Sequence, residues 1–231
     1  MARGKVYYIN NEYREIFTDQ NNIVIPTGEL IKTKGIDLRI VACISAITNT
    51  DTCWEEGNNS RYCSYYKLNN RIEEILKLLD VDKRYFLREL RKIIAQGSNE
   101  LHEVNRNFDE RSILCLQMDY TKGNFITIPY KVLESLAKEL SAPAFKLYIN
   151  LLWLCRDYEK NTFIKKQLVQ RKLANLMGYS ESTIKPVKKA EEELLKKGLI
   201  LIESKWESEV GENGIGSKPL HKKYYTILDA F

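Results

Sequence analysis

The stretch ANLMGYSESTIKPVKKAEEELLKKGLI, residues 174–200, predicts two amphipathic helices separated by the turn MGYS. Gly178 permits the left-handed conformation that ends a helix, and Ser180 is a good N-cap residue for the next one. The apolar side chains of the second helix recur at helical spacing, so they can dock on the first helix. They are Ile184, Val187, Ala190, Leu194 and Leu195. The pattern predicts a helix–turn–helix with lysines on its outer side.

Pro186 conflicts with a helix that begins directly after Ser180. An internal proline removes one backbone hydrogen bond and clashes with the preceding turn. Either the helix kinks at Pro186, or regular helix begins only there, since proline is tolerated in a first helical turn. The two alternatives place the side chain of Lys185 differently.

The second half of the chain predicts the order helix, strand, helix, helix, strand, loop, strand. The elements are a helix at residues 143–156, a strand at 163–166, a helix at 169–177, the helix ending before Gly198, and the strands LILIES and KYYTIL. The first half repeats this order. Its elements are a helix at 36–48, a polar insertion through Ser64, the strand YYK, helices at 69–79 and 83–96, and the strands ELHEVNRN and SILCLQMDY.

Two similar segments support an internal duplication. NIVIPTGEL (22–30) and NFITIPYKVL (124–133) each place a β-type apolar stretch before a proline, and Leu38-Arg39-Ile40 can be laid on Phe145-Lys146-Leu147. A period of about 105 residues exceeds that of solenoid repeats. We therefore predict two domains, 1–122 and 123–231, in a mainly helical α+β chain, with an N-terminal hairpin or tail turning at Asn10-Asn11.

The stretch DKRYFLRELRKIIAQG contains the most basic helix of the first half. Asp82 is a plausible N-cap, and the predicted buried stripe is Phe86, Leu90, Ile93 and Ile94. The opposite side carries Arg84, Arg88, Arg91 and Lys92, with Glu89 toward its edge.

The order of elements, with LANLMGYSESTI and LLKKGLI as its sharpest motifs, resembles winged-helix domains of bacterial DNA-binding proteins. The tandem duplication resembles plasmid and phage replication initiators. The resemblance implies two winged helix-turn-helix domains that bind double-stranded DNA sequence-specifically, without a cofactor. It also implies host replication proteins as further partners of a monomer or homodimer. The alternatives are a transcriptional repressor and a winged-helix module that binds proteins instead of DNA.

The predicted DNA contacts lie on the two cationic helices and the two wings. Arginine can pair bidentately with guanine, whereas lysine acts mostly as a charge for phosphate, so the first helix is assigned more of the base recognition. The first half contributes Lys83, Arg84, Arg88, Arg91, Lys92 and, from its wing, Arg106 and Arg111. The second half contributes Ser182, Thr183, Lys185, Lys188, Lys189 and, from its wing, Lys218 and Lys222. A solvated loop face explains Arg106 and Arg111 equally well.

Composition excludes several other classes. The 231 residues carry a net charge of +5, and no apolar run approaches the roughly 18 residues of a membrane span. The first residues lack the pattern of a secretory signal, so we predict a cytoplasmic protein without a membrane partner. Five cysteines without a C-x-x-C pair and only two histidines argue against a metal site. Without a phosphate-binding glycine loop or a nucleophile elbow, we predict no enzyme and no catalytic residues.

Overall fold

The computed structural model describes residues 22–47, 59–96, 100–104, 113–118, 125–157, 162–207 and 220–228. Within these ranges the chain is an α+β protein with seven α-helices and small antiparallel sheets. The predicted N-terminal hairpin and three of the predicted wing contacts, Arg106, Arg111 and Lys218, lie outside the described residues.

The first half of the chain begins with a strand, a short 3-10 helix at Leu30–Lys32 and a buried helix. Its elements are β1 (Asn22–Pro26), α1 (Leu38–Ile47), β2 (Asn59–Ser64), α2 (Tyr65–Leu79), α3 (Lys83–Ala95), β3 (Leu101–Val104) and β4 (Ile113–Met118).

One strand of this half was predicted in the wrong place. The segment YYK is the start of α2, and the strand lies just before it, within the stretch predicted as a polar insertion. The reason is the spacing of the side chains that α2 buries. They are Leu68, Ile72, Ile75 and Leu79, and this period extends the helix back to Tyr65.

The second half contains the same kinds of element with one more helix. Its elements are β5 (Phe125–Pro129), α4 (Tyr130–Glu139), α5 (Ala142–Cys155), β6 (Arg156–Asp157), β7 (Thr162–Phe163), β8 (Lys166–Gln167), α6 (Gln170–Leu176), α7 (Lys185–Lys196), β9 (Ile200–Glu207) and β10 (Leu220–Ile227).

Two features of this half differ from the prediction. Helix α4 was not predicted, although Tyr130, Leu133 and Leu136 are buried at helical spacing along it. The strand predicted over residues 163–166 is two short strands, because β7 pairs with β6 and β8 pairs with β10.

The two three-stranded sheets have the same topology. Their strand orders are β2-β4-β3 and β8-β10-β9, and all pairs are antiparallel. In each sheet the strand that precedes the two helices pairs with the last strand of its half, and that last strand is central. The two halves therefore share one strand order, as the predicted duplication requires.

The two halves are joined by strands from the similar sequence segments. β1 pairs antiparallel with β5, with Ile23 opposite Ile128, Val24 opposite Thr127 and Ile25 opposite Ile126. Helix α1 also packs against α5. Both helices are almost wholly buried, in a hydrophobic cluster that continues from one half into the other.

Two buried cations cross this junction. Arg39 of α1 forms an ion pair with Asp37, with 2.7 Å between Nη2 and Oδ2, and donates to the carbonyl oxygen of Leu140 at 3.1 Å. Lys146 of α5 donates from Nζ to the carbonyl oxygen of Thr33 at 2.6 Å. Burial, with a smaller contribution from the charge of Lys92, lowers the pKa of Lys146 to about 7.

Lys146→Met is expected to remove a pH dependence of folding. The pKa of Lys146 is about 7 in the folded chain, below the ~10.4 of an unfolded lysine. Between these values the unfolded chain binds more protons, so stability rises with pH. Lys146 should thus contribute a gain of about 1.4 kcal/mol between pH 6 and pH 8, which the methionine variant lacks. Urea unfolding at both pH values measures the gain.

The control is Lys138→Met, because Lys138 is an exposed lysine on α4. It should keep the pH dependence of the wild type. Equal pH dependence in the wild type and in Lys146→Met would contradict the burial of a titrating amine at this junction.

Candidate nucleic-acid interface

Helix α3 has the N-cap and most of the buried stripe that the sequence predicts. The carboxylate of Asp82 accepts a hydrogen bond from the backbone N–H of Tyr85 at 2.7 Å, which satisfies one of the unpaired donors of the first turn. Phe86, Leu90 and Ile93 are buried, and Ile94 is half-buried. One side of α3 is thereby fixed against the protein core.

The opposite side of α3 presents a row of cations. Lys83, Arg84, Arg88 and Arg91 are exposed and, with Leu87, line a shallow open concavity. The guanidinium of Arg88 lies 5.1 Å from the centroid of the Tyr85 ring. The Arg88 side chain is nevertheless 66% exposed, so it remains accessible to a ligand. We call Lys83, Arg84, Arg88 and Arg91 the α3 cationic row.

Two further charged residues of α3 pack against the protein. Glu89, predicted at the edge of the cationic face, is buried, and its carboxylate oxygens lie 3.6 Å from Nε of Arg88 and 3.5 Å from Nζ of Lys92. Lys92 is half-buried and also donates to the carbonyl of Gly35, in the loop before α1. The amine of Lys92 therefore takes part in packing within the protein.

Helix α7 begins later than the prediction from Ser180. It starts at Lys185 with Pro186 in its first turn, so regular helix does begin at the proline. Ser180 is not its N-cap, because residues 180–183 form a separate turn. In that turn the N–H of Thr183 donates to the carbonyl of Ser180 at 2.8 Å, and their hydroxyl oxygens are 2.6 Å apart. Ser182 and Thr183 are exposed there.

Most of the predicted apolar stripe of α7 is buried, with two departures. Val187, Ala190 and Leu194 are buried, whereas Ile184 is half-buried and Leu195 is 41% exposed. Leu195 was predicted to dock on the preceding helix, but the packing of α7 against both α5 and α6 turns it outward.

A buried carboxylate, which the sequence did not indicate, fixes α7 to the adjacent sheet. Glu191 accepts from Nε2 of Gln170 at 2.6 Å, from Nζ of Lys223 at 3.0 Å and from the Tyr225 hydroxyl. Burial, together with the nearby Glu191 charge, raises the pKa of Tyr225. These bonds hold α7 against α6 and β10.

A second carboxylate joins α7 to α5. Glu193 accepts from the backbone N–H and from the hydroxyl of Ser141, both at 2.7 Å. Ser141 is the N-cap of α5. Glu191 and Glu193 together fix the orientation of α7.

The cationic surface of α7 is shorter than that of α3. Lys185, Lys188 and Lys189 are exposed in its first half. The two helices can be aligned by matching the buried Phe86 and Ile93 of α3 to the buried Val187 and Leu194 of α7. This alignment pairs the other residues of the two helices. The pairs are Arg84 with Lys185, Arg88 with Lys189, Arg91 with Glu192, and Lys92 with Glu193. Positive charge thus continues along α3, whereas along α7 acidic residues interrupt it between Lys189 and Lys196.

The second wing was predicted over the strands β9 and β10, which pair antiparallel. Lys222 is half-buried and lies opposite Lys205. The centroid of the Tyr224 ring lies 5.6 Å from the ammonium group of Lys165 and 5.7 Å from that of Lys205. Sequence reasoning missed Trp206, which is 70% exposed although alternation along β9 puts it on the same face as the buried Ile200.

Among the described residues, no three His, Cys, Asp or Glu side chains are grouped to hold a metal ion. The four described cysteines, Cys43, Cys63, Cys115 and Cys155, are buried thiols. No helix of the described ranges has the length and apolar character needed to cross a membrane.

No protein-family model matches this chain, and no curated protein sequence is significantly similar to it.

Proposed function

We propose that this chain binds double-stranded DNA sequence-specifically through two winged helix-turn-helix domains, residues 1–122 and 123–231. The α3 cationic row carries the proposal, because it stands on a helix whose other side is buried and whose N-terminus is capped. A helix of this kind fits a major groove about 12 Å wide. The common order of the two three-stranded sheets supports the winged-helix assignment.

The two helices contribute unequally in this proposal. Arg84 and Arg88 can each pair bidentately with a guanine, whereas Lys185 and Lys189 at the corresponding positions supply charge for phosphates. Glu192, where α3 has Arg91, repels phosphate. Helix α3 therefore provides most of the base recognition. Helix α7 and Lys222 of β10 contact phosphates, which orients the protein on the DNA and adds affinity.

Arg88→Ala is expected to weaken binding to the selected DNA site by about 1 to 3 kcal/mol and to relax base preference, because a bidentate contact is lost. Lys189→Ala should weaken binding to selected and random duplexes alike. Fluorescence titration of labelled duplexes across a salt series measures both effects. Lys138→Ala, which removes one exposed charge from α4, is the control and should bind as the wild type does.

The salt series also tests the proposal as a whole. Affinity should fall steeply as salt rises, because neutralised phosphates release their counterions. Absence of binding at low salt would reject DNA binding. Equal loss on selected and random duplexes in Arg88→Ala would reject the division of labour between α3 and α7.

Within DNA binding, we propose initiation of replication from a plasmid or phage origin, in the cytoplasm and without a cofactor. Two unequal recognition helices in one chain suit an asymmetric site bound by a monomer, whereas a single-unit repressor dimerises on a palindrome. Genome-wide mapping of binding sites is expected to find clusters of repeats at an origin. Isolated sites over promoters would favour the transcriptional repressor, and origin clusters would direct the search for partners toward host replication proteins.

A protein-binding winged helix is the second candidate. The exposure of Trp206 (70%) on β9 favours it, because aromatic side chains are enriched at protein interfaces. Trp206→Ala should leave DNA affinity unchanged if this surface contacts a protein. Loss of DNA affinity would instead place Trp206 at the DNA interface.

A further inference from the structure

The pairing of β1 with β5 defines how the two halves are related. Matching Ile25-Pro26 with Ile128-Pro129 makes Val24 equivalent to Thr127. These two equivalent residues are also paired with each other in the sheet. On either side, Ile23 pairs with Ile128 and Ile25 pairs with Ile126. Replacing each residue of the first pair by its equivalent in the other half gives the second pair. Such a register has a local two-fold axis between Val24 and Thr127.

The two buried cations at the junction give independent support for this axis. Arg39 and Lys146 occupy corresponding positions when Leu38-Arg39-Ile40 is laid on Phe145-Lys146-Leu147. Arg39 reaches the carbonyl of Leu140, the C-cap of α4, and Lys146 reaches the carbonyl of Thr33, the C-cap of the 3-10 helix. Arg39 therefore binds the end of the helix that precedes α5, which carries Lys146. In the same way, Lys146 binds the end of the 3-10 helix that precedes α1, which carries Arg39.

The same relation extends to the recognition helices. The α1–α5 contact joins corresponding helices. Helices α3 and α7 are corresponding elements, because each is the second of the two helices that follow the first strand of its three-stranded sheet and each precedes the other outer strand of that sheet. A rotation that exchanges the halves exchanges α3 with α7. The chain thus holds its two cationic helices as a symmetric dimer would hold its two copies.

We infer that the DNA site consists of two half-sites in inverted orientation about a central point, one contacted by α3 and the other by α7. This inference rests on the proposed function. B-DNA has two-fold axes perpendicular to its length, so a two-fold pair of helices meets the two strands in opposite directions. The half-sites differ in sequence because the side chains differ, as at Arg91 and Glu192.

The inference fixes an order of contacts along the DNA. Arg84 corresponds to Lys185, and Arg88 corresponds to Lys189. Inverted half-sites put corresponding residues at equal distances from the centre. The order along the DNA is then Arg84, Arg88, centre, Lys189, Lys185. If the helices lie the other way round, it is Arg88, Arg84, centre, Lys185, Lys189. Half-sites in the same orientation would give Arg84, Arg88, Lys185, Lys189.

The experiment maps the contact of each of these four residues on one duplex. The duplex is selected by the full-length protein from a random library. Binding of the wild type and of Arg84→Ala, Arg88→Ala, Lys185→Ala and Lys189→Ala is measured on duplexes with single base changes or single ethylated phosphates. A modification that lowers the affinity of the wild type roughly 10-fold should lower the affinity of one variant only slightly, namely the variant that lacks the contacting side chain.

The order of the four lost contacts decides the question. A mirrored order supports the inverted site, and a repeated order overturns it while leaving DNA binding intact. Loss of contacts on one side of the site only would also overturn it, since α7 would then have no half-site. Failure of the library to yield any selected sequence would reject the proposed function itself. All four positions are exposed, and circular dichroism of each variant checks that it is folded.

Discussion

Gly178→Ala is expected to lower the free energy of unfolding by about 2 to 5 kcal/mol. Gly178 has a φ of +82°, in the left-handed region where alanine costs about 1 to 2 kcal/mol. A Cβ atom there would lie 2.4 Å from both the carbonyl oxygen of Lys32 and the backbone nitrogen of Lys34. Because backbone cannot rotate away as a side chain can, overpacking adds a further cost of about 1 to 3 kcal/mol.

Gly198→Ala is the matched control for this variant. Gly198 ends α7 with a φ of +70°, and a Cβ atom there would meet nothing within 4 Å. It should lose only the conformational cost of about 1 to 2 kcal/mol. Urea unfolding of the wild type and both variants measures the difference. Equal losses in the two variants would mean that the turn after α6 does not pack closely on the loop around Lys32.

The sequence predicts the conformation of Gly178 but not its close contact with another part of the chain. A glycine between two amphipathic helices indicates a left-handed residue, and Gly178 has that conformation. Its contact with Lys32 and Lys34 joins residues far apart in the chain. No local pattern encodes such a contact, because it depends on how the two halves dock.

The secondary structure was predictable where apolar side chains repeat over many residues. Helix α3 begins at the predicted residue because Asp82 supplies a strong N-cap. The strand β2 was missed because NSRYCS has little apolar alternation, and it is stabilised by pairing with β4. Pro186 allowed two predictions, and its place in the first turn of α7 follows from the steric rule for proline.

The exposed charges of the candidate site were more predictable than the buried ones. Arg84 and Arg88 follow from helical periodicity, since they lie opposite an apolar stripe. The burial of Glu191 does not follow, because its partners Lys223 and Tyr225 come from a strand more than 30 residues later. A charged residue on a helix is predicted as exposed by default, and only tertiary partners reverse that.

The bipartite site is the proposal with the largest expected effect on DNA binding. Inserting half a helical turn, about 5 base pairs, between the two contacted segments should weaken binding by roughly 100-fold. The insertion turns one segment to the far side of the duplex, where its helix cannot reach. Replacing the central base pairs without changing their number is the control and should have a much smaller effect.

The size of this loss depends on the stiffness of the connection between the two halves. The pairing of β1 with β5, the bond from Arg39 to the end of α4 and the bond from Lys146 to Thr33 would all have to break before one half could rotate. Twisting the DNA over so short a distance is also costly. The loss should therefore approach the full contribution of one recognition helix, and a full-turn insertion should not restore binding, because the protein cannot lengthen. Unchanged affinity after the half-turn insertion would mean that one helix alone recognises DNA.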